Sequence, residues 1–216
     1  MQINILSLFK PLLDSFLATG ILKRAIDKEL LKIKVIDYRD YGIGKHKRVD
    51  GRPFGGGVGM LLRPEPIVNA LESISPAERG VVFLLSPQGE VFEQQKAIEL
   101  SKIPNFSLIC GRYEGFDHRV RKFVDRQISL GSFILMGGEV AAMAIVESVA
   151  RYIPGVLGNS ESVVDESFSD NTLEYPQYTK PVNFRDLIVP DILRSGHHAK
   201  IIRWQEMHKS VLKEDK

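Results

Sequence analysis

Three short and almost wholly apolar runs constrain the fold of this chain most strongly. They lie at residues 81–85, 106–110 and 132–136, and helical patterns such as residues 92–100 separate them. Strands that are apolar throughout are typical of sheets buried on both faces. Strands that alternate with helices are typical of parallel α/β sheets. The sequence therefore predicts an α/β protein built on a parallel sheet.

A loop of unusual composition follows each of these runs. The three loops are Ser86-Pro87-Gln88-Gly89, Gly111-Arg112-Tyr113-Glu114-Gly115 and Gly137-Gly138-Glu139. Ligands of parallel α/β sheets bind beyond the carboxyl ends of the strands, and paired glycines before a helix let backbone amides approach a ligand. A ligand site on these loops is one interpretation. Polar turns and tight packing between strand and helix explain the same residues about as well.

A second glycine-rich segment occupies residues 39–62. It contains three successive glycines at residues 55–57 and a basic cluster at residues 45–52 that could meet phosphates. A disordered surface loop would have a similar composition. The Pro53-Phe54 pair just before the glycines favours a functional loop, because a plain flexible connector needs neither residue.

Composition excludes several classes of protein. Hydrophobic residues make up 44% and charged residues 26% of the 216 residues, which is typical of globular domains. No apolar run approaches the roughly 18 residues of a membrane span, and the first residues lack the basic start of a secretory signal. Cys110 is the one cysteine, so no internal disulfide can form. We expect a cytoplasmic protein with no membrane association.

Charge and motif spacing narrow the function further. The net charge is +2, and the excess comes from residues 171–216, which contain eight basic and six acidic residues. A nucleic-acid partner would therefore have to bind local patches. The common phosphate-loop, dinucleotide-binding and serine-nucleophile motifs are missing, and the histidines and Cys110 do not have zinc-ligand spacing. No metal-ligating residues are predicted.

The chain changes character near residue 158. Residues 158–170 are polar and carry four acids without a base, which indicates an interdomain linker. We therefore predict a domain at residues 1–157, a linker at 158–170 and a small, mostly helical domain at 171–216. In the last helix of this domain the spacing predicts one shared face, formed by Ile201, Trp204, His208 and Val211.

Several motif blocks, taken together, resemble one enzyme family. The chain is similar to the TrmD family of bacterial tRNA (guanine-N1)-methyltransferases, in the SPOUT superfamily, from its start to about residue 208. The blocks are Val49-Asp50-x-Arg52-Pro53-Phe54-Gly55-Gly56-Gly57-x-Gly59-Met60, Leu85-Ser86-Pro87-Gln88-Gly89, Cys110-Gly111-Arg112-Tyr113-Glu114-Gly115-x-Asp117, Gly137-Gly138-Glu139, Arg151-x-Ile153-Pro154-Gly155-Val156-Leu157-Gly158 and Asp165-Glu166-Ser167-Phe168.

The resemblance implies a fold and an activity. The fold would be a parallel α/β sheet with a deep trefoil knot. The enzyme would transfer a methyl group from S-adenosylmethionine to ring nitrogen 1 of the guanine immediately 3′ of the tRNA anticodon, at position 37. The resemblance also implies magnesium dependence and a homodimer with its active site between subunits.

The resemblance also assigns residues to roles. Asp165 would be the general base, Arg151 would stabilise charge on the guanine carbonyl oxygen, and Glu114 would lie near cofactor and metal. Asp165 and Arg151 would complete the partner subunit's site. The implied cofactor-binding residues are Leu84, Leu85, Ser86, Pro87, Gln88, Gly111, Tyr113, Glu114, Leu130, Gly131, Phe133, Leu135, Gly137 and Gly138. The implied substrate-binding residues are Asp50, Arg52, Gly55, Gly57 and Arg112.

Some residues depart from the pattern of the family, and other interpretations stay open. Met136, Ser132, His118 and Phe54 stand where other residues are usual, and the chain ends before the further basic helices expected of a member. It is thus a short member or a truncated one. A SPOUT enzyme that acts on another RNA site and a catalytically silent RNA-binding module are the alternatives. The silent module is expected to lack Asp165, Arg151 or Glu114, and all three are present.

Overall fold

The computed structural model describes residues 1–158 and 172–211, and these divide after Gly158 into two compact units. The elements of the first unit are β1 (Gln2–Ser7), α1 (Lys10–Leu17), α2 (Gly20–Asp27), β2 (Lys32–Asp37), β3 (Asp50–Gly51), β4 (Leu61–Leu62), α3 (Pro64–Glu72), α4 (Pro76–Arg79), β5 (Val81–Val91), α5 (Gln94–Ser101), β6 (Asn105–Ile109), β7 (Arg126–Ser129) and α6 (Glu139–Ala150). Two 3₁₀ helices, Tyr38–Tyr41 and His118–Phe123, complete the unit.

A five-stranded parallel sheet forms the centre of this unit. Its strand order is β2-β1-β6-β5-β7, and every neighbouring pair is parallel. The predicted parallel α/β sheet is therefore confirmed. Apolar clusters cover both faces, as the apolar strands predict. One cluster includes Phe83 and Phe106, whose rings meet edge to face, and the other includes Leu84 and Ile109.

The third predicted strand is wrong. Two of the apolar runs lie in β5 and β6, but residues 132–136 lie in the loop between β7 and α6. The strand itself is β7, which begins with the exposed Arg126 at the edge of the sheet. Ile134 and Met136 in the apolar run are 80% and 92% exposed. These side chains therefore do not belong to the core, although their composition resembles that of a core strand.

Strand β5 is interrupted where it reaches the carboxyl edge of the sheet. Both Leu85 and Glu90 pair with Ile128 of β7, so residues 86–89 bulge out of the ladder between them. A Cβ added to Gly89 would lie 2.4 Å from the backbone nitrogen of Ile128. Only glycine therefore lets the chain return to β7 so soon after leaving it.

The second unit combines short strands with two helices. Its elements are β8 (Thr172–Leu173), β9 (Asn183–Phe184), β10 (Leu187–Ile188), α7 (Asp191–Arg194), α8 (His198–His208) and β11 (Ser210–Val211). Strands β8 and β11 pair antiparallel, and β9 and β10 form a hairpin. The prediction of a mostly helical domain is not confirmed for residues 172–211, because two small sheets accompany the helices and Pro176 and Pro181 disfavour a helix before α7.

The final helix carries only part of the predicted face: Ile201, Trp204 and His208 lie in α8, whereas Val211 lies in β11, where it pairs with Thr172. The rings of Trp204 and His208 are stacked in α8 with centroids 4.0 Å apart. Of the predicted linker at residues 158–170, only Gly158 is among the described residues. In the part of the chain that the structure describes, no helix has the length and apolarity needed to cross a membrane.

Asp117 holds the 3₁₀ helix His118–Phe123 in place at its first turn. The Asp117 carboxylate accepts hydrogen bonds from the backbone nitrogen of Arg119 at 2.9 Å and from its guanidinium at 2.9 and 2.8 Å. Hydrogen bonding by Arg119 lowers the pKa of Asp117 to about 2. The ionised carboxylate is therefore favoured by folding, and this element depends on it.

We predict that Asp117→Asn flattens the acid limb of the stability curve. The folded-state pKa of about 2 lies below the unfolded value of about 3.9. The carboxylate therefore stabilises the fold above about pH 4, and this contribution is lost as pH falls towards about 2. Thermal unfolding between pH 2 and 7 should show the Asn variant less stable than wild type at pH 7, by about 1 kcal/mol. The two curves should converge near pH 2; a constant offset at every pH would contradict the prediction.

Candidate functional site

A cavity of about 790 Å³ opens beyond the carboxyl ends of β5, β6 and β7. Residues 84–88, 111–118, 128–130 and 133–138 line it, together with Arg121 and Ala141. Its volume lies in the range of small-molecule sites, about 300–1,000 Å³. The position is the one at which parallel α/β sheets bind ligands.

Most of the predicted cofactor residues meet in this cavity. Of the fourteen, thirteen line it, and Gly131 lines a smaller neighbouring cavity of about 210 Å³. Arg112, predicted to bind substrate, also lines the large cavity, whereas Asp50, Arg52, Gly55 and Gly57 do not. The structure thus brings the three predicted loops together at one edge of the sheet.

The glycines of two loops let the end of β6 approach the start of α6. The Gly138 nitrogen donates a hydrogen bond to the Gly111 carbonyl at 2.9 Å. A Cβ added to Gly138 would lie 2.8 Å from the Cα of Cys110, and one added to Gly111 would lie 2.8 Å from the Phe116 ring. Strand–helix packing therefore requires Gly138, whereas Gly111 leaves room for the Phe116 ring of its own loop, and both glycines lie in the cavity wall.

Exposed apolar side chains make up one side of the cavity. Phe133, Ile134, Leu135 and Met136 lie in the loop between β7 and α6 and line the cavity from there. Tyr113 faces the same space and is 51% exposed. Its φ of +59° is in the left-handed region that non-glycine residues rarely occupy, and such strain concentrates at functional sites. The surface suits a planar, partly apolar ligand.

Glu114 connects the cavity to the end of the glycine-rich segment at residues 39–62. Its backbone nitrogen donates to the Met60 carbonyl at 3.0 Å. A Cβ on Gly59 would lie 2.4 Å from the Glu114 Cγ, so the end of the glycine-rich segment packs against this side chain. The predicted substrate loop therefore adjoins the cavity at Glu114, although Arg52, Gly55 and Gly57 are not in its wall.

A buried carboxylate lies directly behind the cavity. Glu139 is fully buried and accepts hydrogen bonds from Ser7 Oγ at 2.7 Å and from Arg112 Nε at 2.9 Å. The Arg112 guanidinium also donates to the Met136 carbonyl at 3.4 Å and lies 4.2 Å from the centre of the Phe9 ring. This arrangement links the ends of β1 and β6 to the start of α6.

Three residues with ionisable side chains in the cavity wall were not predicted as site residues. Asp117, His118 and Arg121 line it from the 3₁₀ helix and the residue before it, and Arg121 donates a hydrogen bond to the Gln88 side chain. Only Asp117 lies in one of the motif blocks, as its last residue. His118 and Arg121 have no distinguishing local pattern, because the turn that directs them into the cavity is a tertiary feature.

Two predicted catalytic residues are not in this cavity wall. Arg151 is an exposed residue at the carboxyl end of α6, whereas the cavity adjoins the amino end of that helix. A helix of this length spans about 18 Å. Asp165 lies outside the described residues. Within one protomer, Arg151 is therefore separated from the cavity by the length of α6.

Cys110 lies beside the cavity but belongs to the core. It is fully buried, and burial strongly raises the pKa of its thiol. Its carbonyl accepts a hydrogen bond from the Tyr38 hydroxyl at 3.1 Å, and burial also raises the pKa of that phenol. A neutral thiol is a poor nucleophile, which agrees with its interpretation from sequence as a core residue.

The described residues do not form a metal site by themselves. Within residues 1–158 and 172–211, no three histidine, cysteine, aspartate or glutamate residues come together in a way that could hold a metal ion. Glu114 and Asp117 line the cavity, and neither belongs to such a cluster.

Comparisons with known proteins show the family of this chain. The family model described as tRNA (Guanine-1)-methyltransferase TrmD matches residues 1–214. Two relatives named tRNA (guanine-N(1)-)-methyltransferase, from Staphylococcus aureus strains MRSA252 and JH9, are each 48% identical over 212 residues. Each alignment covers 98% of this chain and 86% of the relative. The chain therefore belongs to the TrmD family of tRNA (guanine-1)-methyltransferases.

Proposed function

We propose that this protein methylates ring nitrogen 1 of guanine in tRNA, at the guanine immediately 3′ of the anticodon (position 37), with S-adenosylmethionine as methyl donor. The observation that carries the proposal is the single cavity in which thirteen predicted cofactor residues meet, in a member of the TrmD family. Membership supports the reaction and the donor. The position of the target guanine rests on the resemblance of the motifs.

The chemistry of the cavity suits S-adenosylmethionine. Leu84, Phe133 and Leu135 would pack against the flat adenine, and the close backbone of Gly111 and Gly138 would face its polar edge. Glu114 would place a carboxylate near the positive sulfonium. When bound, the cofactor supplies an electrophilic methyl group. The protein has to supply the geometry and the proton acceptor for the guanine.

We assign the proton transfer to Asp165. Guanine N1 carries a proton that must leave before this nitrogen can act as a nucleophile, and the Asp165 carboxylate would accept it. An unperturbed aspartate has a pKa of about 3.9, so it is a weak base for this proton. Arg151 would offset that weakness, because a fixed cation at the guanine carbonyl oxygen stabilises the charge that builds there.

Magnesium stays a prediction of the resemblance. No cluster of metal-binding side chains occurs in the described part of the chain, so these residues alone do not fit a resident divalent ion. We therefore derive no step through a metal. If the enzyme requires magnesium, the ion would have to be bound at least partly by groups other than the described residues.

We infer that the cofactor loops form a deep trefoil knot. After the edge strand β7, the chain returns past β5 to reach the ends of β6 and β1, where α6 begins. On the way it has to cross the bulge at residues 86–89. A knot results if the chain passes through that bulge instead of around it, and the family resemblance supports the passage through it.

We also propose that the enzyme works as a homodimer. Arg151 lies at the end of α6 remote from the cavity, which supports a site completed by the other subunit. The linker at residues 158–170 would bring the partner subunit's Asp165 to the same site, and residues 171–216 would form a tRNA-binding domain. With tRNA as substrate, the expected compartment is the cytoplasm.

The test of the function is methyl transfer to defined transcripts. Purified protein, labelled S-adenosylmethionine and unmodified tRNA with guanine after the anticodon should give 1-methylguanosine at that position. The same tRNA with adenosine there is the matched control and should give no transfer. A product at another nucleotide would indicate a different RNA site, and no transfer with any RNA would indicate a silent binding module.

We predict that Asp165→Ala abolishes most methyl transfer and keeps cofactor affinity. Loss of a general base typically costs about 10²–10⁴-fold in rate.

Arg151→Ala should lower the single-turnover rate by roughly 100-fold, because a charge stabiliser is lost. For each variant, single-turnover kinetics at saturating tRNA measure the rate of methyl transfer, and titration with S-adenosylhomocysteine measures the affinity for the cofactor. Near-normal turnover of the Asp165 variant would refute the base assignment, and an effect of Arg151→Ala on tRNA affinity alone would make it a binding residue.

We predict that a mixed dimer, made of two different subunit variants that are each inactive alone, recovers activity. Glu114→Arg places a cation in the cavity and should exclude the cationic sulfonium, whereas Asp165→Ala removes the base. In a mixed dimer, one site receives both defects and the other receives neither. Tandem purification through two different tags should give up to half of the wild-type activity per dimer. A site built within one protomer would leave the mixed dimer inactive.

We predict that Arg52 contacts a tRNA phosphate from the glycine-rich segment. Arg52 is exposed in the glycine-rich segment, and Gly59 of the same segment packs against Glu114. Arg52→Ala should weaken tRNA binding and lower the slope of log affinity against log salt by about 0.7–0.9, as expected for one lost phosphate contact. Lys102→Ala, at an exposed position after α5, is the control and should leave the slope unchanged. Equal slopes for Arg52→Ala and wild type would remove Arg52 from the interface.

A further inference from the structure

The buried hydrogen-bond network around Glu139 joins three separate parts of the chain. Its carboxylate accepts from Ser7 Oγ through one oxygen and from Arg112 Nε through the other. Ser7 Oγ in turn accepts from the Phe9 backbone nitrogen at 2.9 Å. The network thus joins the end of β1, the loop after β6 and the first turn of α6.

Arg112 is held inside the protein by this network. Its side chain is 21% exposed, and its guanidinium contacts Glu139, the Met136 carbonyl and the Phe9 ring. A Cβ on Gly137 would lie 2.2 Å from the Arg112 Nε, so the glycine leaves the space that this side chain fills. Two of the three loops that carry predicted cofactor residues therefore meet on Arg112.

We propose that Glu139 is a positioning residue for methyl transfer, which acts by holding Arg112 and Ser7 so that the loops at residues 111–115 and 136–138 keep the spacing that S-adenosylmethionine needs. In this proposal Arg112 serves the cofactor loops instead of binding tRNA. The inference rests on the proposed function, because it names S-adenosylmethionine as the ligand between these loops.

Burial of the carboxylate is the reason that Arg112 cannot serve both roles. Glu139 is 0% exposed, and an ionised carboxylate at such a site needs a charged or hydrogen-bonded partner. If Arg112 turned outward to a tRNA phosphate, Glu139 would keep only the Ser7 hydroxyl. Removing one partner of a buried ion pair is strongly unfavourable. The network is therefore stable only while Arg112 points inward.

The experiment measures binding of S-adenosylhomocysteine and of tRNA separately. We expect Ser7→Ala, Glu139→Gln and Arg112→Met each to weaken S-adenosylhomocysteine binding at least tenfold in calorimetry, with tRNA affinity within about twofold of wild type. The double variant Arg112→Met/Glu139→Gln should bind it about as weakly as either single variant, because both changes disrupt the same contact. Ser7→Ala leaves the ion pair intact, so it tests the proposal even if a charge variant folds poorly.

Ser107→Ala is the matched control for loss of a buried serine. Ser107 on β6 is fully buried, and its hydroxyl donates to the Arg79 carbonyl at 2.7 Å and accepts from Asn4 at 3.1 Å. It does not line the cavity. It should lower the melting temperature without weakening S-adenosylhomocysteine binding, which separates positioning from general loss of stability.

Each remaining outcome overturns one idea. Normal S-adenosylhomocysteine affinity in all three single variants, with wild type binding it, would refute the positioning role. Weaker tRNA binding by Arg112→Met, with unchanged S-adenosylhomocysteine binding, would return Arg112 to the substrate site. Fully additive effects in the double variant would show that Glu139 and Arg112 act separately. No binding of S-adenosylhomocysteine by wild type would instead refute the proposed function.

Discussion

The approach of α6 to the end of β6 is the contact on which the rest of the site depends. The backbones of Gly138 and Gly111 are joined by a direct hydrogen bond, and neither position has room for a Cβ atom. Because the helix begins so close to the strand, the loop at residues 130–138 has to run along the carboxyl edge of the sheet. That course brings it opposite the bulge in β5 and the loop after β6, and the cavity is the space left between them.

The central sheet was largely predictable from sequence, and its edge was not. Strands β5 and β6 are buried on both faces, so their composition is apolar and easy to interpret. Strand β7 lies at the edge and starts with Arg126 and Gln127, which give no such signal. The apolar run at residues 132–136 instead faces the cavity. An apolar run that lines a cavity has the same composition as a strand in the core, so composition alone does not distinguish them.

The site was predictable where it depends on motifs, and not where it depends on distant contacts. The three loops carry motif blocks, and the structure brings those blocks into one cavity. Glu139 followed two glycines in one of them, where an acid at a helix start is explained by the helix dipole alone. Its burial depends on Ser7, which is 132 residues away in the chain. No local pattern can reveal a partner at that separation.

The single cysteine gives this fold a built-in reporter. Cys110 lies between the strand and the glycine contact, is fully buried and keeps its proton because burial raises the pKa of its thiol. A reagent that alkylates thiolates can therefore reach it only when the core around it opens. The rate of alkylation consequently follows opening of this part of the core. A ligand that fills the cavity and stabilises this part of the core would lower the rate of Cys110 alkylation, and no engineered label would be needed to measure it.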